Sequence, residues 1–308
     1  MLDSPLPGSA IRLTAEVKRA RDGGKPVVAL ESSVLAQGLP IPANAEAAGR
    51  IAAAVESAGA VAALTAVVGG TPTVGLTPEE LARFLRRDGV QKASARDLPV
   101  AMALGRDAAT TVAASLAICR AAGLQVFATG GIGGVHRGCT GDESADLLEL
   151  SRTSVIAVCA GAKSILDLPK TVERLETLSV TVVGFRTAEF PGFLYESTEL
   201  PVCAVADDVE DVVAVFRNRT RMGMPGAVLV VQPPPHASAL PRDLVDGAVE
   251  RALEEAGNAG VTGAAVTPFL LAAIEQATER RSLTANLDLL EANARLAAEI
   301  AGVLYGGS

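Results

Sequence analysis

The chain is 308 residues long and 49% hydrophobic, which is enough to bury a sizeable core and too apolar for a disordered protein. Its formal charge of -8 is spread without any run of Lys or Arg, so neither nucleic acid nor an anionic membrane surface is expected as the main partner, and a small molecule is. The first residues hold no basic segment followed by an apolar stretch, and the longest apolar region, IAAAVESAGAVAALTAVVGG, is interrupted by Glu56, Ser57 and Gly59; a cytoplasmic protein with neither secretory signal nor membrane span is the expectation.

In chain order, short apolar runs alternate with stretches of helical period. PVVAL precedes the Ala-rich NAEAAGRIAAAVESAG, and VAALTAVVGG, read as a buried strand, precedes TPEELARFLRR. Thr77-Pro78-Glu79-Glu80 joins a capping box to a Pro at the first helical position and marks a helix start. Further on, LQVFATGG precedes ESADLLELS, SVIAVCAG precedes AKSILDL, and GAVLVVQPP precedes ALPRDLVDGAVERALEEAG. From VTPFLLAAIEQATERR to LLEANARLAAEIAGVL the chain reads as helix throughout. Strand-helix alternation of this kind predicts an α/β fold with a mostly parallel sheet covered on both faces. No low-complexity linker or internal repeat divides the chain, so one domain over residues 1–308 is expected.

Ligands of open parallel sheets bind beyond the carboxyl ends of the strands, so polar residues just after apolar runs are the informative ones. Five places qualify: Glu31, Lys92, Thr129 with the Gly-rich loop ATGGIGGVHRG, the DESAD segment, and Lys163. The loop matches neither G-x-x-x-x-G-K-[ST] nor G-x-G-x-x-G. It reads either as a cradle in which backbone N–H groups, Thr129, His136 and Arg137 hold a phosphate monoester, or as a plain tight turn. Only five of the 27 basic residues are Lys (18, 25, 92, 163 and 170), so Arg serves for almost every routine surface charge. An amine attacks a carbonyl to form an imine and a guanidinium does not. Lys163 follows SVIAVCAGA, where desolvation would favour the neutral nucleophile; the other reading is a lysine at a helix start with its head in solvent. Glu31 suits a general acid or base, or a cap on the Ser-rich turn beside it. Asp142, Glu143 and Asp146 either complement a helix dipole or offer a hard cation a ligand. Cys119, Cys139, Cys159 and Cys203 form no C-x-x-C pair and read as buried small hydrophobes.

The strings ESSVLAQGLP, ATGGIGGVHRG, SADLLELSRT, VCAGAKSILDLPKTVERLET and SLTANLDLLEANARLAAEIA, in one order from about residue 10 to residue 303, resemble pseudouridine-5'-phosphate glycosidases, the family also called indigoidine synthase A-like proteins. The resemblance implies a three-layer α/β/α sandwich, a homotrimer, a Mn²⁺ cofactor with Mg²⁺ as substitute, and reversible cleavage of pseudouridine 5'-phosphate with water to uracil and ribose 5-phosphate. It implies Glu31 as proton donor, Lys163 as nucleophile, Lys92 as a phosphate contact, and Val112, Ser144, Ala145 and Asp146 as substrate contacts. Thr129 and His136 are then donors on the loop, Asn286 is an active-site asparagine and Asp142 is the metal ligand. RGCTGDE is shorter than the corresponding family segment, which leaves Glu143 and Asp146 as alternative ligands. A kinase that makes the substrate would be a separate protein. The rival readings are a Schiff-base lyase on another phosphorylated sugar, a non-catalytic phosphosugar-binding protein, and a scaffold for assembly.

Overall fold

The computed structural model describes residues 11–138, 141–261 and 266–306. β1 (Arg12–Leu13) leads through α1 (Ala15–Asp22) into β2 (Val27–Leu30), and a single π-helical turn, Val34–Gly38, carries the chain to α2 (Ala43–Ser57). β3 (Val61–Val68) and β4 (Thr71–Val74) form a hairpin through Gly69 and Gly70, both at positive φ as a two-residue turn of this twist requires. Next come α3 (Pro78–Arg86), β5 (Gln91–Ala93), α4 (Leu98–Ala103), β6 (Ala108–Thr110), α5 (Val112–Ala122), β7 (Val126–Ala128), α6 (Ala145–Arg152) and β8 (Ile156–Cys159). α7 (Leu168–Thr177), β9 (Thr181–Phe185), β10 (Ala204–Ala206), α8 (Val209–Arg221) and β11 (Val228–Val231) follow, and α9 (Arg242–Asn258), α10 (Val266–Ala277) and α11 (Arg281–Gly306) end the chain.

The main sheet runs β3-β2-β7-β8-β11-β9-β10 with every pair parallel. Every residue of β2, β7, β8 and β11 is buried, which explains why these strands are unbroken apolar runs: helices cover both of their faces. α11 lies across β2, β7 and β8 with α2 and α8 beside it, while α5 and α6 pack together on the other side. The expected three layers and helical C-terminal region are therefore present. No helix among the described residues is long and apolar enough to cross a membrane.

β3 serves two sheets. Its first half, Val61 to Leu64, pairs with β2, and its second half leaves the parallel sheet to pair antiparallel with β4 and β6. Four buried hydroxyl side chains fill the divergence. Thr65 Oγ1 donates to Leu30 O (3.1 Å), Ser32 and Thr110 both donate to Thr65 O (2.7 Å each), and Ser115 donates to Thr110 (3.1 Å). Carbonyls that leave a ladder inside a core need such partners. The outcome for function is a small lobe, β5 with β6, that brings Lys92 to the carboxyl edge of the main sheet.

AKSILDL departs from expectation. Residues 163–167 form a turn, and α7 begins only at Leu168 with Asp167 as its cap and Pro169 in its first turn. Arg137 accounts for this, because its guanidinium donates to Ser164 O (3.1 Å) and Leu166 O (3.0 Å) and so takes carbonyls that a helix would have used. Lys163 thus sits in a clasped turn rather than at a helix start. Cys119 and Cys159 are fully buried, with burial pushing both thiols up to about 12, but Cys203 is exposed where the chain enters the edge strand β10; Cys139 lies outside the described residues.

The expected capping box is formed: Thr77 Oγ1 accepts from Glu80 N (3.3 Å) and Glu80 Oε2 accepts from Thr77 N (2.9 Å). Thr77→Ala should lower stability by about 1 kcal/mol, seen as a lower urea midpoint at unchanged slope.

Candidate functional site

Because β2, β7 and β8 are adjacent and parallel, the residues that follow them emerge side by side: Glu31 after β2, Thr129 after β7, and the Lys163 turn after β8. Glu31 is buried at 6% exposure. Thr129 donates its hydroxyl to Oε1 and Ser33 donates to Oε2 (2.7 Å), so each oxygen of the buried carboxyl group has a partner and its orientation is set. Thr129 therefore stands behind Glu31.

The Gly-rich loop is framework more than cradle. Its amides at Thr129, Ile132, Gly133, Val135 and His136 donate to Val158 O, Gly161 O, Asp146 Oδ2, Thr171 Oγ1 and Asp142 O, all inside the protein. Nor does positive φ explain its glycines, since among them only Gly138 has it. Close approach does. A Cβ on Gly131 would lie 2.6 Å from the Phe193 ring, and one on Gly133 would lie 2.3 Å from Ser144 Oγ. From the other side, Asn293 Nδ2 donates to Thr129 O (2.8 Å) and Gly130 O (3.2 Å), while its Oδ1 accepts from Gln232 (2.9 Å). Asp146, also buried, accepts from Gly133 N and from Ala113 N (2.8 Å each), which ties the loop to the first turn of α5.

Three adjoining cavities form one cleft. A polar chamber of about 200 Å³ is lined by Glu31, Lys92, Val112, His136, Ser144, Asp146 and Lys163. It shares Glu31, Ser33, Lys92 and Lys163 with a neck of about 40 Å³, which adds Gly131, Phe193 and Asn286. The neck in turn shares Gln37, Phe193, Leu271 and Asn286 with a third chamber of about 250 Å³. At the polar end the chain supplies the start of α5, capped by Thr111, and the start of α6, capped by Ser144. Val112 opens α5, so what it can give a ligand is a backbone N–H.

Lys92 is exposed, yet it lines both the polar chamber and the neck. Loss of surrounding water, then the nearby charge of Lys163, hold it below the ordinary lysine range, while Glu31 and Asp146 act in the opposite sense. Lys163 is half-buried, less sequestered than its apolar approach suggested.

Glu31, Lys92, Val112, His136, Ser144, Asp146, Lys163 and Asn286 are thus brought to the cleft. Ala145 is not; it is exposed at the start of α6. Of the three acidic residues near α6, Glu143 is paired with Arg174 (2.8 Å) and Asp146 is taken by backbone amides. Asp142 is exposed, precedes the helix, and its carboxylate makes no hydrogen bond or ion pair among the described residues. No cluster of three metal-binding side chains occurs among those residues either. A hard cation held by one carboxylate, with water and a ligand's phosphate completing its shell, fits that donor set; a closed protein cage does not.

Sequence reasoning missed Ser33, Gln37, Asn293 and Phe193. Asn293 was within reach, being seven residues beyond Asn286 on one helix and hence on the same face. Phe193 carried no signal: it reaches the neck from the segment between β9 and β10, at φ +66, with its N–H on Ala160 O (3.0 Å).

Residues 16–303 match the profile of indigoidine synthase A-like proteins. The chain belongs to that family. It is 59% identical over 297 residues to the pseudouridine-5'-phosphate glycosidase of Gemmatimonas aurantiaca, covering 96% of this chain and 97% of that one. It is 50% identical to the enzyme of the same name from Roseiflexus sp., covering 99% of each. Among solved structures, an indigoidine synthase A-like protein from Thermotoga maritima superposes with a TM-score of 0.88 at 37% identity over 96% of each chain. The prealnumycin C-glycosynthase AlnA, solved with ribulose 5-phosphate, gives 0.90 at 37% over 98% of this chain and 99% of its own.

In this indigoidine synthase A-like chain Asn293 is a positioning residue. Asn293→Leu removes the side-chain donor to the buried Thr129 carbonyl and the acceptor of Gln232, while Gly130 O keeps its bond from Ala160 N (2.9 Å), and should cost about 1–3 kcal/mol of unfolding free energy, measured by chemical denaturation.

Proposed function

We propose that the protein cleaves the C-glycosidic bond of pseudouridine 5'-phosphate, reversibly and with water, to uracil and ribose 5-phosphate. The observation that carries this reading is the meeting of Lys163 and Glu31 at a neck between a polar chamber and a more apolar one. The names of its 59% and 50% identical relatives support it. So does the sugar phosphate in the AlnA structure.

The bond to be broken joins ribose C1′ to a ring carbon, so protonating an oxygen or nitrogen leaving group is no help. Covalent catalysis by an amine gives another route. Glu31 delivers a proton to the ring oxygen as the C1′–O bond opens, and the Lys163 amine adds at C1′. The nitrogen lone pair then forms an iminium as the C1′–uracil bond breaks, and the pair of electrons leaving with uracil is met by a proton at that ring carbon. Water hydrolyses the iminium, releasing ribose 5-phosphate and restoring the amine. Lys92, His136, Ser144 and the Val112 N–H line the end where the phosphate binds, while Thr129, Ser33, Asp146, Arg137 and Asn293 hold the reacting groups in place. Mn²⁺, with Mg²⁺ as substitute, is part of the proposal: Asp142 would hold it, and it would supply positive charge to the phosphate.

The reading also takes residues 1–308 as one catalytic domain, acting in the cytoplasm, where phosphate esters are retained. It takes a homotrimer as the assembly, for which exposed Ile41, Val100 and Leu104 offer apolar surface. A separate kinase supplies the phosphorylated nucleoside. A Schiff-base reaction on another phosphorylated sugar is the second reading, favoured by the likeness to AlnA.

With Mn²⁺ present, uracil and ribose 5-phosphate should appear from pseudouridine 5'-phosphate and not from uridine 5'-phosphate, as followed by liquid chromatography; release from neither would remove the proposal. Lys163→Ala and Lys163→Arg should lose at least about 10³-fold in kcat while remaining folded. Borohydride added during turnover should mark only the wild-type enzyme with a ribose phosphate on Lys163, read by mass spectrometry.

Lys92 gives the pH dependence. Its charged form binds the phosphate, and its pKa is below the ordinary lysine value, so affinity for ribose 5-phosphate should fall as pH rises, before a normal lysine would titrate. Lys92→Arg keeps its charge and should flatten that limb in a calorimetric titration.

A further inference from the structure

The neck and third chamber hold two buried acceptors that no protein group uses. Among the described residues, Gln37 Oε1 and Asn286 Oδ1 are shielded from solvent with no hydrogen-bond partner. Both side chains line both cavities, at the end of the cleft away from His136 and Ser144. Gln37 is placed there by the π-helical turn Val34–Gly38, a wound-out geometry often found at functional sites. Its Nε2 makes a long bond to Val90 O (3.4 Å), so Oε1 is the atom of this cavity-lining amide that has no partner.

An unpaired buried amide oxygen is costly and rare, and two beside one cavity point to a ligand carrying two donors. The Phe193 ring and Leu271, which line both cavities, suit the faces of a flat heterocycle. With the phosphate at the polar end, the base falls here. A pyrimidinedione linked to ribose through carbon keeps both ring N–H groups, whereas one linked through nitrogen has spent one of them. Two acceptors therefore tell a C-nucleoside from its N-linked isomer before any chemistry begins.

Building on the proposed reaction, we propose that Gln37 is a specificity-determining residue: its Oε1 accepts one ring N–H of the C-linked base while Asn286 Oδ1 accepts the other. The pair makes both N–H groups a condition of productive binding. Gln37 makes no bond to a reacting atom; it selects the base.

The test compares kcat/KM for pseudouridine 5'-phosphate with that for its N1-methyl and N3-methyl derivatives. Wild-type enzyme should prefer the parent over each derivative by on the order of 10- to 100-fold. Gln37→Leu should lose the preference against one derivative and keep it against the other, whereas Gln37→Glu, which retains an acceptor, should keep both. Persistence of both preferences in a folded Gln37→Leu would overturn the assignment. If that variant does not fold, the wild-type comparison decides alone: equal turnover of parent and derivatives sinks the idea while leaving the reaction standing. No turnover of the parent would overturn both.

Discussion

Parallel pairing of β2, β7 and β8 at the centre of the sheet is the constraint from which the site follows. Parallel strands start at one edge and end at the other, so three segments far apart in the chain must deliver their next residues to the same place. The strands are buried on both faces, which makes this edge rigid. A carboxylate, a hydroxyl and an amine-bearing turn are thereby fixed as neighbours without any loop having to search for them.

Rigidity at the edge is continued by polar groups held by partners inside the protein. Glu31 and Asp146 are buried carboxylates, each with two donors, and burial without them would be strongly unfavourable. Asp146 joins the Gly-rich loop to α5, Asn293 joins it to α11, and Arg137 clasps the turn that carries Lys163. Each glycine that a Cβ would disturb is one where a neighbour presses close. Satisfied groups of this kind build a scaffold; the unsatisfied ones, Gln37 Oε1 and Asn286 Oδ1, belong to side chains that line the neck.

The cleft is also polarised along its length. Two lysines share the neck and the polar chamber, and the charge of Lys163 helps hold Lys92 below the ordinary lysine range. An anion between them relieves that repulsion, so this end of the cleft is electrostatically suited to an anionic group.

Much of the architecture was legible in the amino-acid sequence, because parallel strands covered on both faces must be unbroken apolar runs and amphipathic helices must follow between them. VVAL, VFA, IAVC and VLVV are such runs, and Thr77-Pro78-Glu79-Glu80 is a start signal that depends on four consecutive residues alone. Glu31 and Lys163 stood out for the same local reason, polar side chains directly beyond apolar stretches. What distant contacts decide was closed to it. The Gly-rich loop is tied back by Asp146 and Asn293, AKSILDL is a turn because Arg137 takes its carbonyls, β3 divides between two sheets, and Phe193 reaches the neck from a segment with no local mark. In each of these the deciding partner lies many residues away, and only packing brings it within a hydrogen bond's length.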